Sequence, residues 1–240
     1  MLRAVSLILL TAPWFWQTTG VIQQSDNLFS YGEDPGRDRQ ALELLGPPLA
    51  VEPRNYQLLW RSARACYYIA EESPVAQKVA YYERGIKTAQ AAVALEPNAV
   101  EGHFWLGANY GGVGEQKGML KALSLIGKIR AEMEAVVRLN PGYEDARGYL
   151  ALGELDRQLP RLIGGSTSRA IAYCEKGLKL APQNLELKVS LARGYLEVGR
   201  REEARRQLHE VIARSVNPAR ARAERGVQDE ARKLFAQNAR

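Results

Sequence analysis

Residues 144–182 have the sequence EDARGYLALGELDRQLPRLIGGSTSRAIAYCEKGLKLAP. Large and small apolar residues recur at the spacing of one helix face on both sides of a loop rich in proline and glycine. The first set is Tyr149, Leu152 and Gly153, and the second is Ala170, Cys174 and Gly177. The small residues would let two helices approach closely, while the larger ones fill the seam between them. The stretch therefore predicts an antiparallel helix hairpin.

The order of large and small residues in this hairpin, closed by Pro182, is typical of the tetratricopeptide repeat (TPR). Similar patterns occupy residues 57–97, 100–141 and 185–218. The closing prolines are 44, 41 and 36 residues apart, whereas plain TPR units repeat every 34 residues or so, about ten fewer than the first interval. We expect an all-α TPR-like helical-hairpin solenoid with about four repeats and a C-terminal capping helix.

The first three units carry insertions, ESPVAQKVAYYE, GEQKGMLKALSLIG and RQLPRLIGGSTS. Lengthened adjacent repeats are typical of a specialised pocket or assembly surface, although neutral drift explains them equally well. Gly111, Gly112 and Gly114 predict a flexible break or a close contact at the end of a helix. The Gly164-Gly165 turn before Ser166 or Ser168 predicts a structural turn and a helix N-cap, with anion binding as the alternative.

The ends of the chain differ in character from the repeats. Residues 1–20 place Arg3 before a short apolar run, with Thr18 and Gly20 suited to signal cleavage, so we expect export. The alternative is an apolar helix that packs on the repeats or attaches the chain to a membrane interface. Residues 21–37 predict a polar flexible lead-in, residues 38–218 the repeat domain, and residues 219–240 a basic capping helix.

Composition limits the function classes. The chain has 240 residues, 46% of them hydrophobic and 25% charged, with a formal net charge of +6. Residues 200–240 hold most of that excess, but acids are interleaved and no aromatic platform accompanies them, so a solvated cap is favoured over nucleic-acid binding. Cys66 and Cys174 fall at packed helical positions, which favours buried free thiols over a disulfide.

Catalytic chemistry has little support in the sequence. Only two histidines are present, and neither lies in a cluster with the spacing of metal ligands. No nucleophile–base arrangement or phosphate-binding loop occurs at a recognisable spacing. We therefore expect a binding protein without enzymatic activity, cofactor or metal.

The run from Lys117 to Asn184, KGMLKALSLIGKIRAEMEAVVRLNPGYEDARGYLALGELDRQLPRLIGGSTSRAIAYCEKGLKLAPQN, resembles the TRAP-transporter T component (TatT) type of TPR protein. Its most specific part is the turn PRLIGG, residues 160–165. The resemblance implies a periplasmic, all-helical accessory component of a solute-uptake system. It also implies a solute-binding protein or transporter subunit as the partner, and a homo-oligomer with ligand-sized channels.

In a stacked TPR array, the first helices of successive repeats line the concave face. This geometry predicts a ligand- or partner-binding surface made of Arg61, Tyr68, Phe104, Arg147, Glu154, Arg157 and Arg193. Four arginines favour a small carboxylate ligand or a peptide carboxylate, because guanidinium groups bind carboxylates in a bidentate way. The alternative is that these arginines are solvated or i,i+4 paired surface charges, as Arg157 or Arg161 would be with Glu154. A general scaffold that binds a partner peptide or helix in the groove is the alternative to the TRAP role.

Overall fold

The computed structural model describes residues 12–238, and eleven α-helices follow one another through that part of the chain, with no β-strand among them. The helices are α1 (Ala12–Leu28), α2 (Pro35–Val51), α3 (Tyr56–Glu72), α4 (Val75–Leu95), α5 (Val100–Gln116), α6 (Met119–Leu139), α7 (Tyr143–Gln158), α8 (Thr167–Leu180), α9 (Leu185–Glu197), α10 (Arg201–Ala213) and α11 (Ala221–Gln237). Each helix packs on the next along the chain. The predicted fold class, a TPR-like solenoid of helical hairpins with a C-terminal capping helix, is confirmed.

Residues 21–37 differ from the predicted flexible lead-in, because they contain the end of α1 and the start of α2. The Asp26 carboxylate holds α1 on α3 by accepting hydrogen bonds from Arg61 at 2.8 Å and Arg64 at 2.7 Å. Asp38 is fully buried and accepts from the backbone amide and the hydroxyl of Ser30, at 2.9 and 3.0 Å. Residues 1–11 lie outside the described part, so the signal peptide over residues 1–20 stays a prediction.

The buried side chains form two main cores along the solenoid. The first core is rich in aromatic residues and involves α3 to α7, while the second involves α7 to α11. Glycines let the helices of the third hairpin approach as predicted: a Cβ on Gly153 would lie 3.0 Å from the Cys174 sulfur. Cys66 and Cys174 are free and buried, and burial raises the pKa of Cys66 to about 12 and that of Cys174 to about 11.

The insertions of the first two units lengthen second helices, since α4 and α6 have 21 residues each whereas α10 has 13. Gly111, Gly112 and Gly114 lie inside α5 and do not form the flexible break that their clustering predicts. Gly112 instead makes the close contact that was the other prediction for this cluster, because a Cβ there would lie 2.3 Å from the Tyr82 ring.

The third insertion forms a 3-10 helix, Arg161–Ile163, and a tight turn before α8. Gly164 has a φ of +95°, and a Cβ on Gly165 would lie 1.7 Å from the Leu159 carbonyl oxygen. The Ser166 hydroxyl accepts a hydrogen bond from the Arg169 amide at 3.3 Å and caps α8. The geometry thus agrees with a structural role for this turn.

The junction between α6 and α7 contains a left-handed turn. Glu144, Asp145 and Ala146 have φ angles of 48°, 56° and 63°. For residues with a Cβ this conformation costs about 1–2 kcal/mol each. The carbonyl oxygen of Asp145 accepts a hydrogen bond from the Asn184 side chain at 2.7 Å, which ties the junction to the start of α9.

Replacing Asp145 with glycine is expected to raise the free energy of unfolding by about 1 kcal/mol, because glycine adopts this conformation without the steric penalty. The ion pair lost with Arg220 is long, at 3.5 Å, and the Asp145 side chain is largely exposed. Urea unfolding followed by circular dichroism measures the change. The matched control is Glu134→Gly in the regular part of α6, which should lower stability by about 1 kcal/mol. Equal losses in both variants would contradict the left-handed junction.

The two ends of the described solenoid touch each other. The Glu33 carboxylate accepts hydrogen bonds from the backbone amides of Arg222 and Ala223, at 2.9 and 3.0 Å, and so caps the first turn of α11. The Arg222 guanidinium donates to the Gly32 carbonyl oxygen at 3.2 Å and forms an ion pair with Glu72 at 2.5 Å. We call this set of bonds the terminal contact.

Candidate functional site

A groove of about 820 Å³ is the candidate site. Its walls come from α3, α5, α6, α7 and the 3-10 helix that follows α7. Because α3, α5 and α7 are the first helices of their hairpins, this is the position that the TPR geometry predicts for a binding surface.

Aromatic rings provide the floor of the groove. Phe104 and Trp105 lie on α5 with ring centroids 4.8 Å apart and nearly perpendicular planes. The ring centroid of Tyr67 on α3 lies 5.8 Å from that of Trp105. Trp105 is fully buried and Phe104 nearly so, which fixes their positions. The floor is therefore apolar and rigid.

Gly111 leaves the side of α5 open at the groove. A Cβ built there meets no atom within 4 Å, so the space beside Gly111 belongs to the groove. A large side chain at this position can enter that space without displacing the packed helices.

Arg147 lies on the groove wall and is held by the protein itself. Its guanidinium donates to the Tyr68 hydroxyl at 3.2 Å and forms an ion pair with Glu186 at 3.2 Å. Burial alone would lower the pKa of Arg147, but the charge of Glu186 and the nearby tyrosine hydroxyls raise it above its ordinary value. Arg147 therefore stays charged and connects α3, α7 and α9.

Glu154, also on the groove wall, is the centre of a network of ion pairs. It pairs with Arg157 at 2.7 Å and with Arg193 at 3.3 Å. Arg157 also pairs with Glu197 at 3.0 Å, and Arg193 with Glu230 of α11. Burial alone would raise the pKa of Glu154, but hydrogen bonds from Arg157 and other donors, together with the Arg157 charge, lower it to about 2.

The predicted binding residues thus separate into two groups. Phe104, Arg147 and Glu154 line the groove, and Tyr68 adjoins it through Arg147. Arg61, Arg157 and Arg193 join helices, and Arg61 also lies 4.1 Å above the Trp60 ring. All four arginines are paired with acids of this chain. Arg157 pairs with Glu154 on its own helix, whereas the other three pair with acids of other helices. Binding of a carboxylate stays a prediction.

Glu71 and Glu115 are groove residues that the sequence pattern did not single out. They line the groove near the C-terminal ends of α3 and α5. Partial burial and the like charge of Glu71 raise the pKa of Glu115. Only their position at the end of two parallel first helices of adjacent repeats could have indicated this pair.

His103 is fixed between the Glu132 carboxylate at 2.6 Å and the Pro97 carbonyl oxygen at 2.9 Å. Within residues 12–238, no group of three or more His, Cys, Asp or Glu side chains could hold a metal ion. No helix in that range has the length and hydropathy needed to cross a membrane.

Comparison with solved structures shows TPR architectures. A thermophilic TPR protein of Thermus thermophilus superposes with a TM-score of 0.63 and 20% identity over 92% of this chain and 98% of the other. MamA from Desulfovibrio magneticus gives a TM-score of 0.55 and 18% identity over 83% and 93% of the two chains. At these identities the likeness concerns the fold alone. A tetratricopeptide-repeat model matches residues 162–225.

Sequence comparison identifies relatives and a family in addition to the fold. Regulator of microtubule dynamics protein 3 of Rattus norvegicus is 26% identical over 206 residues, 79% of this chain and 43% of the relative. The Xenopus laevis protein of the same name is 28% identical over 146 residues, 60% of this chain and 30% of the relative. The chain thus spans less than half the length of these relatives. The model of the family described as Regulator of microtubule dynamics protein 1-3 matches residues 21–159, more than half of the chain, and the chain therefore belongs to this family.

Proposed function

We propose that the chain is a non-catalytic protein-interaction module that binds a segment of a partner protein in the groove between α3, α5, α6 and α7. The observation that carries this proposal is the groove itself, which has a rigid aromatic floor and an open wall at Gly111. TPR-like solenoids offer such concave surfaces to helices or extended peptides.

The role as an accessory component of TRAP-type uptake has less support. The relatives described above are regulators of microtubule dynamics, and the arginines expected to bind a carboxylate are already paired. Export, the solute-binding partner and the homo-oligomer therefore stay predictions from sequence. We propose regulation of microtubule dynamics as the process to test first, by co-sedimentation of the purified chain with assembled microtubules.

Gly111→Trp is expected to reduce capture of the groove partner by at least about tenfold, because the indole fills the space that the partner uses. The tagged chain is crosslinked mildly in its host, and captured proteins are quantified by mass spectrometry. The matched control is Gly127→Trp on α6, where a Cβ also meets nothing within 4 Å and the residue does not line the groove.

Proteins captured by the wild type and by Gly127→Trp, but lost with Gly111→Trp, are the expected groove partners. Thermal unfolding of all three proteins establishes that the fold is kept. If the two variants capture the same proteins in the same amounts as the wild type, the groove is not the binding site.

A further inference from the structure

Large apolar side chains are exposed on α6 and on the 3-10 helix that follows α7, and both elements contribute to the groove walls. On α6, Leu120 is 86% and Leu123 41% exposed, and on the 3-10 helix Leu162 is 98% and Ile163 45% exposed. Leu123 and Ile163 both line the groove. These four residues, which we call the apolar lips, belong to the insertions that lengthen the second and third repeats. Apolar groups gathered at the rim of a groove are typical of an interaction surface.

The groove also carries negative charge. Glu71 and Glu115 lie at the C-terminal ends of α3 and α5, and neither helix has a basic residue in its last turn. The partial negative charges at the two helix ends therefore add to the two carboxylates. Within residues 12–238, no ion pair neutralises Glu71 or Glu115. The Glu71 carboxylate accepts a hydrogen bond from the Tyr82 hydroxyl. The Lys78 ammonium donates to the Glu71 backbone carbonyl oxygen at 2.9 Å, and its positive charge offsets part of the rise in the pKa of Glu115.

We infer that the partner segment is an amphipathic helix that lays its apolar face between the apolar lips and places Lys or Arg side chains against Glu71 and Glu115. This inference rests on the proposed function and names the chemistry of the partner. Cationic side chains relieve the repulsion between the two carboxylates, whereas an acidic segment or an anionic lipid headgroup adds to it.

Two synthetic helices of about 18 residues test the inference. Both carry the same leucine face and a fluorescein label, but one has Lys and the other Glu at its polar positions. Fluorescence anisotropy measures their binding to the full chain and to three variants. The variants are Gly111→Trp, Glu71→Gln/Glu115→Gln, and the charge-matched control Glu134→Gln/Glu202→Gln, whose residues are exposed and outside the groove.

We expect the Lys helix to bind the wild type and the control at least about tenfold more tightly than the Glu helix. In Glu71→Gln/Glu115→Gln the preference should fall below about threefold, and Gly111→Trp should weaken both helices. Equal binding of both helices, still lost in Gly111→Trp, overturns the charge inference and leaves the groove proposal standing. Binding that is unchanged in Gly111→Trp overturns both. Co-sedimentation of the wild-type chain, without peptide, with vesicles of anionic but not neutral phospholipid, lost in Gly111→Trp, also overturns the inference.

Discussion

Replacing Gly177 with leucine is expected to lower the free energy of unfolding by about 3 kcal/mol, the upper end of ordinary overpacking. A Cβ at this position would lie 2.9 Å from a methyl carbon of Leu187 and 3.1 Å from the Cβ of Tyr149. The three further carbon atoms of leucine have no space between α7, α8 and α9. Urea unfolding followed by circular dichroism measures the loss.

Gly226→Leu on α11 is the control for this variant, because a Cβ there meets nothing within 4 Å and the residue is exposed. It should be neutral or slightly stabilising, since leucine favours the helix more than glycine does. A loss below about 0.5 kcal/mol in Gly177→Leu would show that the hairpin seam is packed differently.

Glu154→Gln is expected to lower the free energy of unfolding at pH 7 by about 2–3 kcal/mol. It should also make the free energy of unfolding depend less on pH in the acidic range. The pKa of Glu154 is about 2 in the folded chain, below its ordinary value of 4.5. A carboxyl with a lowered pKa contributes stability above its unfolded pKa, and that contribution is lost as the pH falls through the folded pKa. The wild type should therefore lose more stability than the variant between about pH 5 and about pH 2, the interval between the unfolded and folded pKa values.

Stability of the two proteins against urea, measured at a series of pH values, tests this expectation. The curves should converge towards pH 2, where the Glu154 carboxyl is half protonated. Glu134→Gln, on the exposed side of α6, serves as the control. If the stability curves of the wild type and Glu154→Gln run parallel, the ion pairs around Glu154 do not stabilise its ionised carboxylate.

The helical periodicity predicted the repeats because TPR packing is local: each hairpin places its large and small residues at fixed offsets along one helix face. The same periodicity did not reveal the part of α1 that lies in residues 21–28, because this part is held on the solenoid by a tertiary contact between Asp26 and two arginines of α3. A polar stretch gives no periodic signal for such a contact. The lead-in was therefore predicted to be flexible although it is helical.

The candidate site was harder to predict than the repeats, for the same reason. Phe104 and Arg147 followed from the geometry of TPR first helices, but the partners of the arginines come from other repeats, as Glu186 does for Arg147. Glu71 and Glu115 become neighbours only when α3 and α5 are stacked. The insertions, for which either a specialised surface or neutral drift was expected, carry the apolar lips.

The terminal contact changes the mechanics of this solenoid. In an open array of repeats each hairpin contacts only its neighbours, so it can tilt against them with little effect on the other hairpins. The terminal contact joins Glu33 to the start of α11 and Arg222 to Glu72, so the two ends of the array are linked to each other. If the groove widens at one repeat, the other repeats must then move as well, or the terminal contact must break. Because exposed ionic bonds weaken as salt rises, we expect the solenoid to widen more easily at high ionic strength.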